Sequence, residues 1–337
     1  MTSGSGLVID MHCHLLPERL VALLRARDRA PCIEPDGTGG ERIRIFRAAM
    51  PFDASDNDPD NRARTMDGFG VSMQVISLPG LFGIDSLPVD EALPLVQAFN
   101  DGMAEIVAAH PDRYRAIAAL PLGDAEAMAV ELRRARTNLS LAGAILPANG
   151  FVSLAAAEAW RPVFEEADKL GGHLFIHPGP LPSELVGKAV DAPAPHSDTI
   201  EHRRVTLDTQ HRLGEVMVTL ALTDFLEPYN HLTVHVANLG GTLPFLIERM
   251  DHLDMIRHAG EPTASERLRP VAVDTASLGE IAVDTAVRAL GAENVLFGTD
   301  HPIFRTDYCL NGVVGGVAVK SGRDKVLGAN AARLLGL

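Results

Sequence analysis

The sequence predicts one α/β domain, a (β/α)8 TIM barrel with long lid inserts, spanning residues 1–337. Three observations predict it. Eight short β-rich runs alternate with amphipathic helical stretches through nearly the whole chain. Polar side chains with metal-binding chemistry sit where those runs end, as barrel enzymes require. And the first run is followed by histidines, not by the glycine-rich loop that an open, nucleotide-binding sheet usually places there.

The strand runs are 7–11, 71–78, 114–120, 143–146, 173–176, 232–237, 270–274 and 295–298. Between them, 90–109, 125–136, 154–170 and 279–290 carry apolar residues at three- and four-residue spacing, the signature of a helix with one buried face. Two stretches break the alternation. Residues 31–61 are rich in Asp, Pro, Gly and Arg, and residues 178–213 hold Pro180, Pro182, Pro193 and Pro195 with His196, His202 and His211. Both read as irregular inserts that follow strand ends, and hence as lids.

Composition narrows the partners. A net charge of −14 argues against a nucleic-acid surface. No basic run or long apolar span points to a membrane, and no signal peptide is visible at the polar start of the chain. Three widely spaced cysteines, Cys13, Cys32 and Cys309, form no disulfide framework and fit a reducing cytoplasm.

The strand ends carry the chemistry. His12 and His14 close the first run. A strand turns residues i and i+2 to one face, so both imidazoles point the same way. Alone, such a pair also fits a polar loop. His177 ends the fifth run, Asn238 the sixth, Asp274 the seventh and Asp300 the eighth. Three imidazoles and a carboxylate at one rim suit a divalent metal with room for water or substrate. On the sixth run, Val234, Val236 and Asn238 share one face and His235 and Ala237 the other. With Asn238 at the barrel mouth, His235 is expected to face the surrounding helices as a packed core residue.

These positions fall within a longer set of motifs. They include Ile9-Asp10-Met11-His12-Cys13-His14-Leu15-Leu16-Pro17, Met66-Asp67-Gly68-Phe69-Gly70-Val71 and His110-Pro111-Asp112-Arg113-Tyr114-Arg115. Phe175-Ile176-His177-Pro178, Leu239-Gly240-Gly241, Phe297-Gly298-Thr299-Asp300 and the terminal Asn330-Ala331-Ala332-Arg333-Leu334-Leu335-Gly336 complete them. Together they resemble the amidohydrolase superfamily. Within it they resemble the amidohydrolase-related branch of 2-amino-3-carboxymuconate-6-semialdehyde, γ-resorcylate and 5-carboxyvanillate decarboxylases.

The resemblance implies a distorted barrel with one divalent metal held by His12, His14, His177 and Asp300. Zn2+ is the first expectation, with Mn2+ or Fe2+ as alternatives and a second metal left open. It also implies a homodimer in which Arg249 reaches the neighbouring active site to bind substrate, although a helical surface arginine also fits that position locally.

One departure bears on mechanism. The branch carries a catalytic histidine where this chain has Asn238, and an amide cannot shuttle a proton near neutral pH. Either the chain is an inactivated variant, or its reaction needs no base there, or the site is rebuilt around His301, His196, His202 or His211.

The leading expectation is a non-oxidative decarboxylase of a small cyclic or conjugated carboxylic acid, with His301 or metal-bound water supplying the proton. The alternatives are a hydrolase or hydratase using metal-bound water, an iron oxygenase, possibly dinuclear, on the same barrel, and a barrel that only binds a small acid.

Overall fold

The computed structural model describes residues 6–46, 48–185, 201–316 and 318–337, with the backbone alone at 201, 202, 318 and 319. Eight parallel strands form its centre: β1 (Ile9–His14), β2 (Met73–Ser77), β3 (Tyr114–Ala116), β4 (Gly143–Pro147), β5 (His173–His177), β6 (Thr233–Val236), β7 (Ala272–Asp274) and β8 (Val295–Leu296). They lie in two arcs, β1-β2-β3 and β4-β5-β6-β7-β8.

Backbone hydrogen bonds join the arcs at both seams. Ala118 N–H donates to Gly143 O at 2.9 Å and Ile145 N–H to Ala118 O at 3.0 Å. At the other seam Met11 N–H donates to Phe297 O and His14 N–H to His301 O, both at 2.8 Å. Each strand therefore neighbours the next in chain order and the last neighbours the first, which is the barrel the sequence predicts.

Helices follow the strands. Val89–Ala109, Ala125–Asn138, Arg161–Leu170, Glu201–Ala221, Leu243–Arg257 and Glu280–Leu290 fill the six connections from β2 to β8. The helix expected over 154–170 is broken into Leu154–Ala157, a 3₁₀ turn at Glu158–Trp160 and Arg161–Leu170. Pro162, in the first turn of the last piece, has no N–H to continue the earlier ladder. Among the described residues no helix is long and apolar enough to cross a membrane.

The first insert is not irregular. Cys32–Pro35, Glu41–Arg44 and Ala49–Phe52 form a three-stranded antiparallel sheet. The Asp36 carboxylate accepts from Thr38 N–H and Gly40 N–H and closes the first turn. Ile33 and Ile43 are paired and buried while Glu34 and Arg42 are paired and partly or wholly exposed. This period-2 pattern lay hidden in a Gly- and Asp-rich composition. In the second insert, 201–213 belong to a helix, against the irregular reading. His196 and the side chain of His202 lie outside the described residues.

Two apolar clusters divide the strand side chains. Ile9, Met11, Val75, Ile145, Phe175 and Leu296 pack inside the barrel. Val234 and Val236 pack outside, against the helices. Each such buried side chain contributes roughly 1.5–3 kcal/mol. The filled interior leaves chemistry to the C-terminal mouth.

The register of β1 against β2 slips between Asp10 and Cys13. This bulge lets His12 and His14 join the inner face that Ile9 and Met11 occupy lower down. On β6 the expectation for His235 is overturned. The valines take the outer face, so His235 and Ala237 turn inward, and His235 is fully buried against Phe175 with ring centroids 3.9 Å apart.

Candidate metal centre

His12 and His14 at the end of β1, His177 at the end of β5 and Asp300 just past β8 converge at the mouth. Their donor atoms all lie within 4.8 Å of one another. Among the described residues this is the one cluster of three or more such side chains. Each imidazole is held by its Nδ1. His12 Nδ1 lies 3.1 Å from both carboxylate oxygens of Asp274. His14 Nδ1 donates to Ser77 O at 3.2 Å, and His177 Nδ1 donates to Pro178 O at 2.7 Å. A carbonyl or carboxylate only accepts, so Nδ1 carries the proton in all three rings and the Nε2 lone pairs remain for a metal.

His14 Nε2 lies 3.1 Å and His12 Nε2 3.5 Å from Asp300 Oδ1. The buried His12 Nε2 has no hydrogen-bond partner. An orphaned inward nitrogen beside two more imidazoles and a carboxylate fits one divalent ion.

The electrostatics agree. Burial alone pushes the Asp300 carboxyl up, but His12 and His14 hold it well below the usual carboxylate range. Asp274 is likewise raised by burial and pulled well down by His12 and His235. Burial lowers His12, yet the carboxylates of Asp274 and Asp300 lift it to about 10, so without an ion the ring holds a proton on Nε2 as well, in the place that a bound cation would take. Burial, with the neighbouring imidazoles, keeps His177 neutral, well below the usual histidine range.

The backbone frames the site. Asp10 accepts from Thr299 N–H and Oγ–H at 3.0 and 2.7 Å and from Gln74 at 3.0 Å, tying β1 to β2 and to the segment that carries Asp300. Its burial raises its carboxyl to about 6. Asp300 takes a left-handed φ of 58° and donates its N–H to His12 O at 2.6 Å. Gly298 lies so close to β1 and β7 that a Cβ there would come within 2.8 Å of His12 Cβ and 3.1 Å of Asp274 Cβ.

The remaining predicted residues are placed unevenly. Asn238 is buried at the mouth, with φ 54° at the head of a left-handed run through Leu239, Gly240 and Gly241. Asn accepts that conformation more readily than most residues. Its N–H donates to Asp274 Oδ1 at 3.3 Å, and its side-chain Oδ1 is buried without a partner. His301 is partly buried, with Nδ1 3.3 Å from Thr306 Oγ1, and burial pushes it down to about 4. Arg249 is exposed on the outer helix Leu243–Arg257, and His211 is exposed on Glu201–Ala221, so neither joins the cluster within this chain.

Sequence reasoning missed the roles of Asp274 and His235. The signal available was parity: His173, Phe175 and His177 share one face of β5, so any polar partner across β6 and β7 has to face inward too.

A cavity of about 310 Å3 opens beside His14. The antiparallel sheet roofs it with Ile43, Met50 and Phe52, and Phe82 and Ile303 add to its wall. A hollow of about 380 Å3, between helices Glu18–Arg25 and Val89–Ala109, holds none of the four cluster residues.

The chain is 28% identical to 2-amino-3-carboxymuconate-6-semialdehyde decarboxylase of Dictyostelium discoideum, over 98% of this chain and 92% of that one. It is 26% identical to γ-resorcylate decarboxylase of Rhizobium radiobacter, over 82% and 87%. Its fold is similar to that of 5-carboxyvanillate decarboxylase of Novosphingobium aromaticivorans, a structure complexed with manganese and 4-hydroxy-3-methoxy-5-nitrobenzoic acid. There the TM-score is 0.70 with 19% identity, over 99% and 97% of the two chains. The amidohydrolase family pattern matches residues 9–337, from the first residue of β1 to the end of the chain, and the chain belongs to the amidohydrolase family.

Proposed function

We propose that this chain is a metal-dependent non-oxidative decarboxylase of a small aromatic or conjugated carboxylic acid. The observation that carries the reading is the convergence of three Nδ1-anchored imidazoles and Asp300 beside a cavity roofed by apolar side chains. The activities of the three similar proteins support the same reaction class.

In this reaction the bond between a ring or vinylic carbon and its carboxylate breaks, CO2 leaves, and a proton takes the carbon's vacated position. A divalent ion, when bound, supplies Lewis-acid stabilisation of the substrate oxygens. His12, His14, His177 and Asp300 would hold it. Zn2+ is the proposed ion, and Mn2+ and Fe2+ suit the same donors. Ile43, Met50 and Phe52 would pack the ring and keep bulk water from the breaking bond. Asn238 would orient substrate through its unpartnered Oδ1 and its amide N–H. His301, held neutral near pH 7 by burial and linked to Thr306, is the proposed proton relay, taking a proton from water and passing it to the carbon that loses CO2.

Arg249 is proposed to act across a homodimer. It is exposed and makes no ion pair among the described residues, and its helix also exposes Phe245, Met255 and Ile256. The three buried unpaired cysteines fit a cytoplasmic enzyme.

The test is CO2 release by metal-replete protein from a panel of hydroxybenzoic and conjugated dicarboxylic acids. Release from at least one, lost on chelation and in His14→Ala, is expected. Opening of lactones with no CO2 from any acid would replace the reading with a hydrolase.

A further inference from the structure

A line of polar side chains crosses the otherwise apolar barrel interior from its N-terminal floor to the cluster. It begins at Thr233, the first residue of β6, whose Oγ1 is 2.7 Å from His173 Nδ1. His173 Nε2 lies 2.7 Å from His235 Nδ1. His235 Nε2 lies 3.4 Å from Asp274 Oδ2, and Asp274 meets His12 Nδ1 at 3.1 Å. His173, His235, Asp274 and His12 are all essentially fully buried.

The proton assignments along this line are mutually consistent. Asp274 only accepts, so His12 donates through Nδ1, and His235 turns its Nε2–H toward the carboxylate. His235 Nδ1 then accepts from His173 Nε2–H, and His173 Nδ1 accepts from the Thr233 hydroxyl. Burial keeps both added imidazoles neutral, as this ordering needs.

Two buried imidazoles cost free energy that an apolar pair at the same positions avoids. The surrounding residues, Ile9, Met11, Val75 and Phe175, show that the interior packs with apolar side chains. Asp274 Oδ1 already accepts from Ala276 N–H at 2.9 Å and Asn238 N–H at 3.3 Å. Its Oδ2 has only the two rings, His12 and His235. His235 Nε2 is buried, and its 3.4 Å approach to that oxygen is longer than an ordinary hydrogen bond, with no other acceptor in reach.

We propose that His235, backed by His173, is a positioning residue for the metal centre: it holds the Asp274 carboxylate so that His12 presents Nε2 to the ion. This rests on the metal-site reading above and adds to it two residues that touch neither the ion nor the substrate.

The test measures Zn2+ affinity of the full chain by competition with a chelator. Asp274→Asn is expected to bind about 10- to 100-fold more weakly and His235→Phe, which keeps the stack on Phe175, about 10-fold more weakly. The double variant should lose little beyond Asp274→Asn alone, because one path carries both effects. His235→Gln, which restores an N–H donor, should recover most of the affinity. In the metal-free parent, 15N spectra of the imidazoles should show His173 and His235 as neutral Nε2–H tautomers near neutral pH.

Parental affinity in His235→Phe, full additivity with Asp274→Asn, or an Nδ1–H tautomer at either ring would overturn the proposal. If His14→Ala and Asp300→Ala also keep parental Zn2+ affinity, the metal-site reading itself falls. If they lose it while His235→Phe does not, only the positioning role falls.

Discussion

Asn238 occupies the mouth of the barrel with a buried, unpartnered amide oxygen and a left-handed backbone. Its amide can aim a substrate but cannot carry a proton, so Asn238→His is expected to raise the rate of CO2 release about 10-fold or more. Steady-state assay of the two proteins on the same acid checks it, and an unchanged or lower rate would mean that the site has no use for a base there. Asp85 gives a separate test. Burial pushes its carboxyl from 3.8 up to about 7. The unfolded chain ionises it from about pH 4, whereas the folded chain keeps the proton until about pH 7. Its contribution therefore destabilises the fold progressively as pH rises through that window, by up to about 4 kcal/mol, and stays constant above it. Asp85→Asn should match the parent near pH 4 and exceed it in thermal midpoint near pH 8. At this scale the four cluster residues were legible from their chemical type and their place at strand ends. Asp274 and His235 were not, because their role depends on which face of β6 the neighbouring valines take.

The elements place these residues through close backbone approach. The bulge in β1 turns two histidines inward after two apolar inward residues, a change of parity that no alternation in Ile9-Asp10-Met11-His12-Cys13-His14 announces. Gly298 lets the segment after β8 lie against β1 and β7. A methyl group there has to displace His12 or Asp274, so Gly298→Ala is expected to weaken Zn2+ binding at least 10-fold while the chain stays folded. Chelator competition alongside circular dichroism measures both, and a folded variant with parental affinity would show that β1 and β7 can yield. The eight strands and most helices were readable from periodicity. The roof sheet was not, because Asp36, Gly37, Gly39 and Gly40 look like a loop until the buried Ile33–Ile43 pair fixes the register.

For the whole molecule, the proposed role of Arg249 requires the homodimer. Arg249→Ala and His14→Ala should each be nearly inactive alone. Mixed and allowed to exchange subunits, they should regain about a quarter of parental activity, since half the dimers then hold one intact site. No recovery from mixed chains that do exchange would confine Arg249 to its own protomer's surface. The sequence by itself determined the alternation of strands and helices, and with it the barrel. It also determined the chemical type of the cluster, because strand ends gather at one rim whatever fills the loops between them. The rest needed the tertiary structure. Closure at Ala118–Ala144 and Cys13–His301, the inward turn of His235, the anchoring of three Nδ1 atoms and the burial that sets their protonation arise between residues far apart in sequence. Those contacts depend on distances across the barrel, which a one-dimensional pattern of polar and apolar residues does not carry.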